Sequence, residues 1–395
     1  MGRGAAIAAG VGLTASVCAS TFTVINTSDS GSGSLFWAIE QANLNAGPDT
    51  ILFTIPESDP GFDGTAWWIR PKIALPVLSD DGTAVLGGSQ ADAVGDKNPE
   101  GPEIALDGTD MLENSSCMSI NSADNLVSGQ VFTGSRSDGI SIIGDYARRN
   151  RIVGNYFGTN PAGTESRTIT GGISMQRGAK ANRVGGSEPF EGNLISGCLG
   201  SGIYIYRSDS NVTVGNIIGL DRTGTKVLGN GANGITIGNA RDNRVGGSLA
   251  GERNVISGNG SQGIDIGIFK ATRNNTVQGN YIGTDKSGKF PLGNGSNGIS
   301  VSNEASANRI GGTEPGESNL ISGNTGFGIY IFTSGTDSNR IEGNRIGTDA
   351  AGDAPLPNGT GGICIFNGPK SNQVGPSNTI RHNFDSVFIQ YDTTL

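Results

Sequence analysis

Histidine is nearly absent from this chain, since His382 is the single histidine among 395 residues. One imidazole argues against histidine metal sites and against Ser-His-Asp chemistry. The four cysteines, Cys18, Cys117, Cys198 and Cys364, are far apart and lack metal-ligand spacing. We therefore expect no disulfide framework, no metal and no cofactor.

Long apolar runs and clustered positive charge are also missing. After the first residues, no stretch approaches the ~18 apolar residues that a membrane span needs. The net charge is −9 and no basic stripe is present, so nucleic acid is not an expected partner. The same charge disfavours, without excluding, a polyanionic glycan.

The first residues resemble a targeting segment rather than a part of the fold. An early Arg3 precedes an Ala-rich apolar run that ends in Val17-Cys18-Ala19. This pattern predicts a signal peptide over residues 1–19, with cleavage before Ser20. A lipoprotein with its lipid on Cys18 and a disordered Ala-rich start are the alternatives. The signal peptide predicts a protein that is secreted or on the cell surface.

Glycine, in contrast, is abundant, with 66 residues, and it recurs with a period. A unit of Gly-Ile-x-hydrophobic repeats every 29 to 35 residues, about 32 on average. Its starts are Gly139, Gly172, Gly202, Gly234, Gly263, Gly298, Gly328 and Gly362. Asparagine recurs in step, at Asn150, Asn182, Asn211, Asn243, Asn275, Asn308, Asn339 and Asn372. A common period in two markers predicts stacked structural repeats.

Each repeat contains three short apolar runs, such as "GISV", "NRIGG" and "NLISG". The runs alternate large apolar with small or polar residues and are too short for helices, which predicts strands with one buried face. Three strands per turn, stacked in parallel, form an all-β parallel β-helix of about eleven coils. The isoleucines then form one internal column. The asparagine amides are expected to form a hydrogen-bonded ladder, because an amide both donates and accepts.

The two ends of the chain differ from the repeats. Residues 32–43 place Leu35, Ile39 and Ala42 on one helical face, which predicts an amphipathic helix that caps the first coil. We expect residues 20–123 to hold this cap and the first coils, and residues 124–395 to hold the regular repeats of the same continuous domain. The C-terminal stretch with His382 is interpreted as a last, degenerate coil.

The repeats are most alike at a spacing of 64 residues, because loop insertions alternate between successive coils. A longer loop follows the third strand of every second coil and opens with Asp221, Asp285 or Asp349. These residues are interpreted as Asx-turn residues. Calcium binding is the alternative, although each loop offers few carboxylates.

The repeat "GI-x-I … N-x-I-x-GN-x-IG" from about Asp124 onward resembles the right-handed parallel β-helix proteins of the pectate-lyase-like superfamily. The opening "TFTVINTSDSGSGSLFWAIEQANLNAGPDTI" is similar to the N-terminal cap of secreted bacterial members. The resemblance covers roughly 70 % of the chain and implies a single right-handed parallel β-helix. The group includes polysaccharide lyases, glycoside hydrolases, epimerases, tailspikes and non-catalytic adhesins. Its epimerase and polygalacturonase motifs are missing from the sequence, so no catalytic residue is transferred.

The residue x of each Gly-Ile-x-hydrophobic unit should point outward, opposite the inward isoleucines. The outward columns place Asp265 between Thr236 and Ser300, which are candidates for contacting substrate. Tyr204 and Tyr206 lie on one side of this group, and Tyr330 and Phe332 lie on the other. Gly238 and Gly267 are expected to leave a hollow beside Asp265. Aromatic faces around a carboxylate in a shallow groove predict a polysaccharide or cell-surface glycan as the partner.

Asp265 is the candidate catalytic residue, and Arg207, Arg241 and Lys270, which follow the strands, are candidates for contacting substrate. A hydrolase needs a second carboxylate, for which Asp209 and Glu304 are nearest. A lyase needs a base and a cation. The sequence leaves both enzymes open, together with a non-catalytic glycan-binding module and a non-catalytic adhesin, surface or matrix protein.

Overall fold

The computed structural model of the protein describes residues 19–112 and 114–390. The predicted signal peptide lies, except for Ala19, outside the described residues. Within the described part of the chain, every pairing between strands of the three large sheets is parallel, and neighbours in each sheet are one coil apart in the chain. The chain is therefore a parallel β-helix, as the repeat predicts.

The three sheets, named A, B and C here, contain twelve, eleven and ten strands among the described residues. Sheet A comprises Thr21–Val24, Thr50–Phe53, Ala84–Leu86, Leu126–Ser128, Arg151–Val153, Arg183–Val184, Val212–Thr213, Arg244–Gly246, Thr276–Gln278, Arg309–Gly311, Arg340–Glu342 and Gln373–Val374. Sheet B comprises Trp67–Ile69, Ile104–Asp107, Gln130–Thr133, Tyr156–Phe157, Leu194–Ile195, Ile217–Ile218, Val255–Ile256, Tyr281–Ile282, Leu320–Ile321, Arg345–Ile346 and Thr379–Ile380. Sheet C comprises Met118–Ile120, Asp138–Ile143, Gly171–Gln176, Ile203–Tyr206, Ile235–Gly238, Ile264–Ile266, Ile299–Val301, Phe327–Phe332, Gly361–Phe366 and Val387–Gln390. This count agrees with the predicted eleven coils of three strands.

The core lies inside the coils and is made mainly of isoleucine. The first isoleucine of each Gly-Ile unit is at most 1 % exposed in all eight coils. These residues are Ile140, Ile173, Ile203, Ile235, Ile264, Ile299, Ile329 and Ile363. Each stacks on its counterparts in the adjacent coils, so apolar burial runs along the rod without interruption.

The predicted asparagine ladder is confirmed, and it is one of three. In each ladder the amide Nδ2 donates to Oδ1 of the asparagine in the next coil, as between Asn243 and Asn275 at 3.0 Å. The predicted ladder stands at the turn from sheet C to sheet A and begins one coil earlier, at Asn125. A second stands between sheets A and B, at Asn155, Asn193, Asn216, Asn254, Asn280, Asn319, Asn344 and Asn378. A third stands between sheets B and C, at Asn230, Asn259, Asn294, Asn324, Asn358 and Asn383.

Helix α1, Leu35–Leu44, covers the first coil as predicted, with Leu35, Ala38, Ile39 and Ala42 buried. A second helix, α2, spans Ser89–Val94, and short 3₁₀ turns occupy Gly108–Asp110 and Ala250–Glu252. In the described part of the chain, neither α-helix has the length and apolar character that crossing a bilayer requires.

Helix α1 begins at a side-chain cap, since Ser34 Oγ accepts a hydrogen bond from the Trp37 backbone N–H at 3.1 Å. We expect Ser34→Ala to lower the free energy of unfolding by ~1 kcal/mol, because it leaves that N–H without its acceptor. Denaturant titration measures this loss. The exposed Ser32 is the control, and Ser32→Ala should change stability by less than ~0.5 kcal/mol. Equal losses in the two variants would show that the cap does not stabilise the helix.

Candidate functional site

The outer face of sheet C carries the candidate residues in one column. Tyr204, Thr236, Asp265, Ser300 and Tyr330 pair in register across five consecutive strands. Parallel strands lie ~4.8 Å apart, so each tyrosine is two strands, or ~10 Å, from Asp265 along the rod. The residues that the sequence pattern aligns are thus brought onto one surface.

Asp265 is a partly buried carboxylate with a single hydrogen-bonding side chain beside it among the described residues. Its Oδ2 accepts from Asn233 Nδ2 at a long 3.4 Å. Burial raises the pKa of Asp265 to about 6, and the hydrogen bond from Asn233 offsets only part of this effect. A carboxyl group with this pKa exchanges its proton near neutral pH, which is the range that general acid–base chemistry needs.

A row of amides precedes the strands at this site. Asn233 Oδ1 accepts from the Gln262 backbone N–H at 3.0 Å, and Gln262 Oε1 accepts from the Asn297 N–H at 2.9 Å. Asn297 Oδ1 accepts in turn from the Phe327 N–H at 2.8 Å. This row was not predicted, although an amide residue stands directly before Gly-Ile in three successive coils of the sequence.

The same amides bind the two hydroxyl groups that were predicted to contact substrate. Asn233 Nδ2 donates to Thr236 Oγ1, and Asn297 Nδ2 donates to Ser300 Oγ, each at 3.1 Å. Both Thr236 and Ser300 are 1 % exposed. Their hydroxyl groups are therefore buried and accept hydrogen bonds from the amides instead of facing the solvent.

Aromatic side chains form two platforms on this face. In the first, the ring centroids of Tyr204 and Tyr206 are 6.0 Å apart and those of Tyr206 and Phe269 are 4.8 Å apart. In the second, Tyr330 stacks on Phe327 at 5.5 Å and on Phe332 at 4.7 Å. Phe269 and Phe327 were not among the predicted site residues.

The hollow expected at Gly238 and Gly267 is filled. A Cβ atom at Gly238 would lie within 3.0 Å of Ile268 and Phe269, and one at Gly267 would lie 2.0 Å from the Ser302 carbonyl oxygen. The segment after strand Ile264–Ile266 thus folds back over Gly238 and extends the first aromatic platform. The surface beside Asp265 is consequently shallower than the residue pattern indicates.

The three predicted cations lie at the ends of the strands, and two of them are paired there. Arg241 Nε is 3.0 Å from Asp209 Oδ2, and Lys270 forms an ion pair with Glu304. The candidate cations thus bind the candidate second carboxylates instead of Asp265. Arg207 extends over the ring of Tyr206, with its guanidinium carbon 5.1 Å from the ring centroid.

A second acid on the outer face of sheet C, Asp138, was not predicted. Its Oδ2 accepts from the Ser174 hydroxyl at 2.6 Å, and burial raises its pKa despite that hydrogen bond. Asp138 lies on a strand four positions before that of Asp265, which corresponds to ~19 Å. This separation is too large for the paired carboxylates of a glycoside hydrolase, which are ~5–10 Å apart.

The aspartates that open the longer loops bind their own loops. Asp285 Oδ1, for example, accepts from the backbone N–H groups of Lys289 and Phe290 at 2.9 and 3.1 Å. Asp221 and Asp349 accept from the equivalent N–H groups. Within residues 19–112 and 114–390, no three His, Cys, Asp or Glu side chains are grouped so that they could hold a metal ion.

Neither a family model nor a curated protein matches the sequence. Among solved structures, the A-module of the Azotobacter vinelandii mannuronan C-5 epimerase AlgE4 is 14 % identical, with a TM-score of 0.44 over 91 % of this chain and 100 % of that chain. The periplasmic alginate epimerase AlgG is 15 % identical, with a TM-score of 0.39 over 87 % and 76 %. The Dettilon tailspike protein is 12 % identical, with a TM-score of 0.40 over 93 % and 68 %. At these values the similarity is one of fold and does not inform on substrate or chemistry.

Proposed function

We propose that the outer face of sheet C binds a polysaccharide chain and that the protein works outside the cytoplasm as a glycan-directed β-helix. The observation that supports this function best is the pair of aromatic platforms on either side of Asp265. A sugar chain stacks the C–H faces of its rings on aromatic rings, while its hydroxyl groups need polar partners. The face offers both, because Tyr204 and Tyr330 lie in the same column as Asp265, and the amide row lies beside it.

The charge of the site favours a neutral glycan. Asp265 and Asp138 are carboxyl groups on this face, and two of the nearest cations are bound in ion pairs at its edge. A chain of uronic acids would bring further negative charge to a protein with a net charge of −9.

The glycan-binding proposal is tested with the tyrosine of each platform that lies in the same column as Asp265. We expect Tyr204→Ala and Tyr330→Ala each to weaken binding of a glycan found by array screening by ~1 kcal/mol, or about fivefold in Kd, because each removes one stacking surface. Isothermal titration calorimetry measures the change.

Phe290→Ala is the matched control, since Phe290 is an exposed aromatic residue on a loop that follows sheet B. It should leave the affinity unchanged. If all three variants bind the glycan equally well, the sheet C face is not the binding surface. If the wild-type protein binds no glycan in a broad array, a structural or adhesive role of the rod replaces the proposal.

A second function, acid–base catalysis on the bound glycan, is favoured by one observation. The pKa of Asp265, about 6, suits a residue that transfers protons near neutral pH. The test is an assay of polysaccharides for new reducing ends and for the absorbance of unsaturated uronates. Turnover that Asp265→Asn abolishes would support catalysis, whereas binding without turnover would leave Asp265 as a hydrogen-bond acceptor for the glycan.

A further inference from the structure

The C-terminal end of the rod exposes residues that occupy core positions. In the last coil, Val387 and Ile389 pair in register with Ile363 and Ile365 and so continue the inward columns of sheet C. Val387 is 41 % exposed and Ile389 is 46 % exposed, whereas Ile363 and Ile365 are at most 6 % exposed. The inward residues of sheets A and B in this coil, Val374 and Ile380, are only partly buried. An apolar patch made of core-type residues thus faces outward at this end.

The same end carries open strand edges on all three sides of the coil. The last strands of sheets A, B and C have a neighbour on one side only among the described residues. The three asparagine ladders also end here, at Asn372, Asn378 and Asn383. The backbone N–H groups of these residues have no acceptor in the described part of the chain, whereas the equivalent N–H groups one coil earlier donate to their Oδ1 atoms. Open edges of this kind pair readily with another chain.

The N-terminal end of the rod is different, because the chain covers it. Helix α1 packs on the first coil and buries Leu35, Ala38, Ile39 and Ala42 there. A partner that completes the C-terminal end must present three strand edges around one coil, since the open edges lie on all three sheets. Among the described residues, the C-terminal end alone presents such a set of edges. The surface that fits this end is therefore the same end of a second copy of the chain.

The lengths of the last strands select how two such ends meet. In a two-fold arrangement, one strand pairs antiparallel with its own copy, and the other two strands pair with each other. Gln373–Val374 of sheet A and Thr379–Ile380 of sheet B have two residues each, and Val387–Gln390 of sheet C has four. Only self-pairing of the sheet C strand matches four residues with four and two with two. A register centred on Phe388 then places Val387 opposite Ile389 of the second copy, on the inner side of the sheet.

We propose that two copies of this protein associate through their C-terminal ends, with Val387–Gln390 of one copy paired antiparallel with Val387–Gln390 of the other. The association removes Val387 and Ile389 from water and gives the open edges of all three sheets a partner. It stops at a dimer, because each copy uses its only open end. The interface includes none of the residues assigned to glycan binding and does not depend on the function proposed for them.

The experiment is sedimentation velocity between micromolar and millimolar concentration. The wild-type protein should show a monomer–dimer equilibrium without larger species. Val387→Glu should raise the Kd of the dimer at least about tenfold, because it brings a charge into the centre of an apolar interface. Val227→Glu is the matched control and should leave the Kd unchanged, since Val227 is an exposed valine on a loop that follows sheet B. Thermal unfolding confirms that both variants are folded.

Spin labels show which ends meet. Ser377→Cys places a label in the last coil, and Ser32→Cys places one before helix α1; both serines are exposed, whereas the cysteines that the structure describes are buried. Eleven coils ~4.8 Å apart make a rod of ~50 Å, so that labels at position 32 lie ~100 Å apart in the proposed dimer. Pulsed electron paramagnetic resonance should detect dipolar coupling between labels at position 377 and none between labels at position 32.

Three results would overturn the proposal. A monomer at every concentration would show that the C-terminal end does not bind a second copy and is covered by the chain itself or by a different partner. Species larger than a dimer would show that association does not close at this end. An unchanged Kd in Val387→Glu, or dipolar coupling between labels at position 32, would place the interface elsewhere on the rod.

Discussion

Asn275→Leu is expected to lower the free energy of unfolding by about 3–5 kcal/mol, at ~1 kcal/mol for each hydrogen bond lost. The Asn275 side chain is 1 % exposed and forms five hydrogen bonds. Its Oδ1 accepts from the backbone N–H and the amide of Asn243, and its Nδ2 donates to Asn308 Oδ1 and to two carbonyl oxygens. Leucine has a similar volume but neither donates nor accepts, so polar groups in three coils lose a partner. Denaturant titration measures the loss.

The control for this variant is an exposed asparagine outside the ladders. Asn303 is unsuitable, because its φ of 53° lies in the left-handed region, where leucine would add backbone strain. Asn121 is exposed and lacks this conformation, so Asn121→Leu should cost less than ~0.5 kcal/mol. Losses of the same size at positions 275 and 121 would mean that the ladder does not stabilise the rod.

The fold could be predicted from the sequence because each coil repeats the same pattern of apolar, glycine and asparagine residues. The spacing of the Gly-Ile units predicts the length of a coil and the column of inward isoleucines. The asparagines with the same period predict the ladder at one turn between sheets. The second ladder was equally visible, as an asparagine before the sheet B strand in "NYI" and "NRI", and it was overlooked. Periodic features can be predicted because stacked strands one coil apart must align.

The candidate site was predicted only in part, because its details depend on segments that break the period. The column from Tyr204 to Tyr330 follows from the register of the repeats. The closure of the hollow at Gly238 does not, because it depends on how the insertion at Ile268 and Phe269 folds back. A groove between sheets A and B was missed entirely, because it joins the irregular segment 96–103 to coils on both sides of it in the chain.

Asp265 is the one charged residue at its position in the repeat. The equivalent positions in the other seven coils hold Ser141, Ser174, Tyr204, Thr236, Ser300, Tyr330 and Cys364, all of which are uncharged at neutral pH. A hydrogen-bonded serine or threonine at this position does not destabilise the folded protein. Burial of an isolated carboxylate, in contrast, destabilises the charged form. The acid therefore lowers the stability of the folded protein at neutral pH, as functional groups commonly do.

We expect Asp265→Asn to stabilise the protein at pH 7 by up to ~3 kcal/mol, and this gain to fall to a small fraction of that value near pH 4. The folded-state pKa of about 6 exceeds the ordinary value of 3.8 by about two units, and each unit corresponds to ~1.4 kcal/mol. Because the pKa is raised in the folded state, the wild-type protein is most stable while Asp265 is protonated. That stability is lost as pH rises from about 4 through 6. Denaturant titrations of both proteins between pH 4 and pH 8 measure the difference.

Asp285→Asn is the control, and its change in stability at pH 7 should have the opposite sign. Burial alone would raise the pKa of Asp285, but hydrogen bonds from Ser287, Phe290 and Lys289 outweigh it and lower the pKa. This variant should be less stable than wild type at pH 7, with a difference that shrinks as pH falls. If Asp265→Asn instead lost stability at pH 7, the carboxylate would be stabilised in the fold and would be a structural group. A gain in stability together with a fall of ~10²-fold in any turnover would show that Asp265 is kept for chemistry at the expense of the fold.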